Sequence, residues 1–150
     1  MKDQPIVFER TYDAPVHKVW RAITDRDQMK AWYFDIAEFR PVMGFEFQFI
    51  GRNEEKEYVH LCKITEVLKE RKLQYSWRYK GYDGMSYVTF ELFPEGDKTR
   101  VKLTHAGLES FPNSNPDFAR ENFIEGWGYF TNTALKDFVE KDNQSMAPEN

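Results

Sequence analysis

Residues 116–141 read PDFARENFIEGWGYFTNTALKDFVEK, the longest stretch of the chain with clean helical periodicity, and it follows a polar, proline-containing break. Asn115 can accept hydrogen bonds from free amides of the first turn. Pro116 suits the first helical position, and Asp117 suits the positive end of the helix macrodipole. Phe123, Trp127, Phe130, Ala134 and Phe138 recur at steps of three or four, so they form one apolar stripe, with Thr131 and Leu135 on its shoulder. Glu121, Glu125, Asn132, Lys136 and Glu140 fall on the other faces and stay in water. Gly126 and Gly128 flank Trp127, each at a cost of about 1 kcal/mol relative to alanine in a helix. They imply either close packing of the helix on a sheet or room left beside the indole.

Upstream of this helix the period is two for most of the chain. Ile6, Phe8, Arg10 and Tyr12 alternate with Val7, Glu9 and Thr11, which predicts a first strand with its aromatic side inward and Arg10 as the exception. Asp13-Ala14-Pro15 then signals a turn and a helix start, and Val16, Val19, Trp20 and Ile23 have helical spacing. Thr24 with Asp27 resembles a capping box for a second short helix over Asp25 to Trp32.

Asp35 to Arg40 reads as a weak strand. Phe45, Phe47 and Phe49 mark a strong one that ends in the charged hairpin Arg52 to Glu57. Tyr58, His60, Cys62 and Ile64 share a face of the returning strand, and Leu73, Tyr75, Trp77 and Tyr79 share a face of the next. Met85 to Phe93, with Val88, Phe90 and Leu92 inward, and Thr99 to His105, with Val101, Leu103 and His105 inward, are joined across Pro94-Glu95-Gly96-Asp97. Short turns between successive strands predict an antiparallel meander. Only the long helix can cover its apolar face, which makes the fold α+β: a curved antiparallel sheet around the C-terminal helix, with two short helices after the first strand.

A chain of 150 residues, 41% hydrophobic and 17% aromatic, is long enough for one domain with a real core, expected over residues 1–141, and residues 142–150 form a polar tail expected to be disordered. The net charge of -4 with no basic run argues against a nucleic-acid partner or a polybasic membrane anchor. No segment is apolar enough for a membrane span, and Met1 to Pro5 leads into the first strand without an export signal. Cys62 stands alone, so no internal disulfide forms, and the expected location is cytoplasmic.

Ala14-Pro15, the run Val19-Trp20-Arg21-Ala22-Ile23-Thr24-Asp25, Trp32, the run Val101 to Gly107 and Gly126-Trp127-Gly128 together resemble the Aha-type proteins. These are homologues of the C-terminal domain of the heat-shock-protein-90 ATPase activator, within the START-like, helix-grip (SRPBCC) superfamily. The resemblance covers nearly the whole chain. It implies the helix-grip fold and a cavity between sheet and helix.

The alternation places Phe47, Phe49, Tyr58, Cys62 and Tyr75 on the concave face, with Trp77, Tyr79, Phe90 and His105 beyond them. Trp32 or Phe34 joins from the end cap, and Phe123 and Trp127 from the helix. Such a surface can be a dry core or an apolar ligand pocket whose few polar groups orient a guest; the implied cavity favours the pocket. His105 ends an apolar alternation and reads as a hydrogen-bonded core residue rather than a catalyst. His60, Cys62 and His105 lack any familiar zinc spacing, so neither metal nor cofactor is expected. Arg10 is the candidate for reading a ligand carboxylate, should the pocket take an acid.

The sequence therefore predicts a non-enzymatic domain that binds a small hydrophobic or aromatic molecule. Two alternatives come with the resemblance. One is a chaperone partner, with stimulation of its ATPase; family members of that kind carry a further N-terminal domain, whereas this chain begins at its first strand. The other is a cyclase- or aromatase-like reaction.

Overall fold

The computed structural model describes residues 4–53 and 55–141; the polar tail 142–150 lies outside the described residues. Six strands form one antiparallel sheet: β1 (Ile6–Tyr12), β2 (Glu46–Asn53), β3 (Lys56–Leu68), β4 (Lys72–Tyr79), β5 (Ser86–Glu95) and β6 (Lys98–Ala106). Their spatial order is β1-β6-β5-β4-β3-β2, so β2 to β6 run as a meander and β1 returns to the free edge of β6. Val88, Phe90, Leu92, Val101 and Leu103 are buried on one face, as the period-two pattern requires. In β3 the register slips between Ile64 and Glu66, a bulge that bends the strand and helps the sheet curve.

Two short helices, α1 (Val16–Thr24) and α2 (Arg26–Trp32), follow β1. The capping residue of α2 is Asp25, not Thr24. The Asp25 carboxylate accepts from the amides of Asp27 at 2.9 Å and Gln28 at 3.2 Å, while the Thr24 hydroxyl donates back to the carbonyl of Trp20. A hydroxyl engaged with the preceding turn cannot cap the next helix.

The segment predicted as a weak strand, 35–40, contains no strand. It belongs instead to a loop that dips between sheet and helix and buries Ile36 and Phe39. Its aromatic anchors take the place that ladder hydrogen bonds would have taken.

The C-terminal helix begins later than predicted. Asn115 does cap through the amide of Asp117, but the turn it caps is a 3₁₀ turn, Pro116–Phe118, which ends where Ala119 is extended (ψ 144). The long helix then runs through α3 (Arg120–Tyr129), a π-helical segment (Phe130–Ala134) and a final α-helical stretch, 135–141. The buried line along it is Phe123, Trp127, Thr131, Leu135 and Val139. Phe130, Ala134 and Phe138, predicted to lead, are only partly buried and pack beside it.

The π segment explains this shift. In a regular α-helix, steps of four drift round the axis, so a line of such steps leaves the sheet within a few turns. A wider turn closed by i→i+5 bonds cancels part of that drift. Leu135 accordingly donates its amide to Phe130 O instead of Thr131 O. The Tyr12 hydroxyl, from β1, donates to Thr131 O at 2.6 Å. A second tie joins the helix end to the β1–α1 turn, where the amide of Asp13 donates to Glu140 at 2.9 Å.

Arg10 does not point its charge inside. It is exposed, lies over the Phe8 ring and donates to the Asn132 side chain on the helix. Among the described residues no helix is long and apolar enough to cross a membrane. The Tyr12–Thr131 bond is the buried polar link between the π segment and the sheet, beside the exposed one from Arg10 to Asn132, and Tyr12→Phe leaves a buried carbonyl without this partner. We expect a loss of about 1–2 kcal/mol in urea unfolding with an unchanged denaturant slope; an unshifted midpoint would show that Thr131 O is satisfied in another way.

Candidate functional site

The concave face is divided in two. Over its centre and the α2 end it is filled. Tyr33 lies within 5.0 Å of Phe130, 4.9 Å of Trp32 and 6.0 Å of Trp127, centroid to centroid, and Phe34 stacks on Phe49 at 4.2 Å. Below them the hydroxyls of Tyr33 and Tyr75 share a hydrogen bond at 2.8 Å. Toward the start of α3 the packing stops, and a cavity of about 370 Å³ opens between the helix and strands β2 to β4.

Six of the predicted pocket residues line this cavity: Phe34, Tyr58, Trp77, Tyr79, Phe123 and Trp127. The other seven do not. Trp32, Phe47, Phe49, Cys62, Tyr75, Phe90 and His105 are buried in the core, with Phe47 packed on Phe39 and Tyr75. The loop of residues 33–45 fills the part of the face these residues were expected to leave open. Arg10, the candidate carboxylate reader, is absent from the cavity lining.

Several lining residues were not predicted. Phe118 ends the 3₁₀ turn before the extended Ala119, and its ring stacks on Tyr79 at 4.6 Å. Asp117, read as a dipole residue, accepts the Tyr58 hydroxyl, which also receives Asn115 Nδ2 at 3.3 Å; the turn before α3 is thereby tied to β3. Gly51 and His60 belong together. A Cβ at Gly51 would sit 2.6 Å from Cε1 of His60, so the glycine gives the imidazole its place. The break that Gly51 makes in the alternation of β2 was the usable signal for this pair. Arg52, Asn122 and Glu125 are exposed residues of the lining.

Of the two glycines beside Trp127, Gly126 borders the cavity and nothing stands within 4 Å of where its Cβ would be. Gly128 faces Phe8 at 3.8 Å, an ordinary contact. Only Gly126 leaves room beside the indole.

Trp127 itself is fixed by a chain of buried hydrogen bonds. Its Nε1 donates to Nδ1 of His105 at 2.9 Å, which leaves the imidazole proton on Nε2. Nε2 lies 2.8 Å from the Ser86 hydroxyl, and that hydroxyl donates to Trp77 O at 2.9 Å. His105 is thus a core histidine with both nitrogens engaged. Among the described residues no group of three His, Cys, Asp or Glu side chains is placed to hold a metal ion.

The imidazole of His60 and the phenols of Tyr58 and Tyr79 in the cavity wall are uncharged at neutral pH. Burial pushes His60 down to about 4, and burial drives the phenol of Tyr79 up. Burial, then the bond to Asp117, raises that of Tyr58. Behind the wall, burial and then the proximity of His60 push His105 down to about 3.

The arrangement, a curved antiparallel sheet gripping a C-terminal helix over an aromatic cavity, is that of a helix-grip protein. The chain belongs to the family of activator of Hsp90 ATPase homolog 1-like proteins, which matches it over residues 13–140. Among solved structures it is similar to protein MLL2253 from Mesorhizobium loti, with 25% identity, TM-score 0.74 and coverage of 92% of this chain and 98% of that one. It is also similar to CalU16 from Micromonospora echinospora, with 27% identity, TM-score 0.68 and coverage of 90% and 73%. Protein CV1439 from Chromobacterium violaceum, at 21% identity and TM-score 0.76, with coverage of 93% and 99%, shares the fold. No curated protein matches the chain closely enough to add to these.

The two buried histidines make stability depend on pH. In the unfolded chain each takes up a proton near pH 6.5, whereas the folded protein refuses it until about pH 4 at His60 and about pH 3 at His105. Their contribution is complete above pH 6.5 and is lost as pH falls from there toward those values. Between pH 7 and pH 5 we expect each to remove roughly 2 kcal/mol from the free energy of unfolding. Equal urea midpoints at the two pH values would refute this.

Proposed function

We propose that this protein binds a small hydrophobic or aromatic molecule in the cavity between β2–β4 and the start of α3. The observation that carries the reading is the unfilled volume of about 370 Å³, walled by aromatic rings and a few polar groups, in a face that is otherwise densely packed. That volume lies at the lower end of the range usual for ligand sites. Family membership and the helix-grip fold support the same reading. The binding unit is a single domain over residues 1–141, acting in the cytoplasm, where the buried thiol of Cys62 stays reduced.

Stimulation of a chaperone ATPase is the second reading, and it rests on the family description. A cognate chaperone whose ATPase is unchanged at saturating protein would exclude it. A cyclase- or aromatase-like reaction has less support, because the buried histidine suggested for it, His105, spends both nitrogens on Trp127 and Ser86.

The neutral solvatochromic dye prodan tests the leading reading. A blue-shifted emission that saturates at one dye per chain is expected, with the same stoichiometry by native mass spectrometry. Gly126→Leu projects a side chain into the cavity and meets no atom at its Cβ. It also removes a helix glycine, worth about 1 kcal/mol. It should therefore weaken the dye at least tenfold without lowering the melting temperature, while Asn132→Leu, on the exposed side of the helix, leaves affinity unchanged. Equal affinity in all three proteins would place the dye elsewhere.

A further inference from the structure

We propose that the cavity selects an uncharged aromatic ligand carrying a hydrogen-bond-accepting oxygen, and that the indole N–H of Trp77 is the donor that receives that oxygen. The inference rests on the reading of the cavity as a ligand site and specifies its chemistry.

The buried indoles next to the helix core differ in one respect. Trp32 Nε1 donates to Ala22 O at 2.7 Å, and Trp127 Nε1 donates to His105 at 2.9 Å. Trp77, only 5% exposed, has no partner for its Nε1, which is the buried side-chain polar atom left unsatisfied among the described residues. The Tyr79 hydroxyl lies near this N–H, and the contact offsets part of the rise that burial gives its phenol, but the distance and angle between them are not those of a hydrogen bond. A buried donor without an acceptor costs about 1–3 kcal/mol, so such an atom marks a place where a partner is missing. This one belongs to a ring that forms the cavity wall between His60 and Tyr79.

The charges around the cavity decide what kind of acceptor it takes. Its lining carries two carboxylates, Asp117 and Glu125, and one cation, Arg52, whose guanidinium pairs with Glu57 at 2.7 Å. His60, inside, is neutral. A carboxylate or phosphate entering this site would lose its hydration, find no free cation and approach two like charges. A cationic ligand fares no better against the apolar inner wall, where His60 is neutral and Asp117 already receives the Tyr58 hydroxyl. A neutral ketone, aldehyde or ether oxygen satisfies the donor without bringing a charge into the apolar wall.

The test compares four ligands that share one ring system, by calorimetry on the full chain: naphthalene, 1-acetonaphthone, 1-naphthoate and 1-naphthylmethylammonium. We expect the ketone to bind on the order of fivefold to tenfold more tightly than naphthalene, the factor one neutral hydrogen bond provides. Both ions should bind more weakly than naphthalene. In Trp77→Phe the advantage of the ketone should vanish while naphthalene binding persists. Should that variant fail to fold, the wild-type protein answers the question by nuclear magnetic resonance. With triple-resonance assignments, the Trp77 indole proton should move downfield with the ketone and not with naphthalene. A ketone no better than naphthalene, an ion that binds most tightly, or an unmoved indole proton overturns the assignment of Trp77 while leaving the cavity reading intact. No binding by any of the four, together with no binding of prodan, overturns the cavity reading and this inference with it.

Discussion

The hydrogen bond from Trp127 to His105 is the constraint on which the arrangement of helix and sheet depends. Apolar contacts between a helix and a sheet are non-directional, and many positions along the sheet would bury similar area. A buried N–H is directional and costly to leave unmet. Trp127 Nε1 can be satisfied only where Nδ1 of His105 lies, and His105 is oriented in turn by Ser86, whose own proton goes to Trp77 O. The chain of bonds therefore links the helix to β6, β5 and β4 at one point and sets both the height and the rotation of α3.

From that point the two directions along the helix differ. Toward the C-terminus the π segment and its bond to Tyr12 keep Thr131 and Leu135 against the sheet, and the loop of residues 33–45 packs Tyr33 and Phe34 against Phe130 and buries Ile36 and Phe39. Toward the N-terminus the helix presents Gly126 and stops at Ala119, so the preceding turn must be held by other means. The Tyr58–Asp117 bond and the stacking of Phe118 on Tyr79 supply them. The cavity is the space between these two ways of closing the face. A dry core and an open cavity, which look like alternatives in the sequence, occupy neighbouring halves of one sheet.

The strands, their antiparallel order and the gripping helix were legible because period-two and period-3.6 patterns depend only on which face is buried. The site was less so, for identifiable reasons. The alternation gives Phe49 and Trp77 the same status, yet Phe34 stacks on one and not on the other, and Phe34 comes from a loop that carries no periodicity. The π segment has no reliable signature in residue type, so the stripe was assigned to Phe130, Ala134 and Phe138 where Thr131, Leu135 and Val139 are buried deeper. Asp117 showed a helix-start preference that a 3₁₀ turn satisfies equally well. The glycines beside Trp127 left close packing and spare volume both open in the sequence, and the structure divides the two: Gly128 faces Phe8, whereas Gly126 borders the cavity.

The polar groups around the cavity also limit how it can discriminate between guests. Tyr58 spends its proton on Asp117, and His60 sets Nδ1 against Tyr58 O. Burial keeps the phenol of Tyr79 and the imidazole of His60 uncharged at neutral pH. Ion pairing deep in the wall is therefore unavailable: Asp117, half-buried, already holds the Tyr58 hydroxyl, and the other charged residues of the lining, Arg52 and Glu125, are exposed, where interactions with a guest are weakened by solvent and salt. Discrimination then falls to shape and to neutral hydrogen bonds. In an apolar cavity of this size the most selective contact is one that leaves a buried partner unpaired when the wrong guest enters. The indole N–H of Trp77 is the wall atom in that position, because the protein has already placed the donor and carried the cost of burying it.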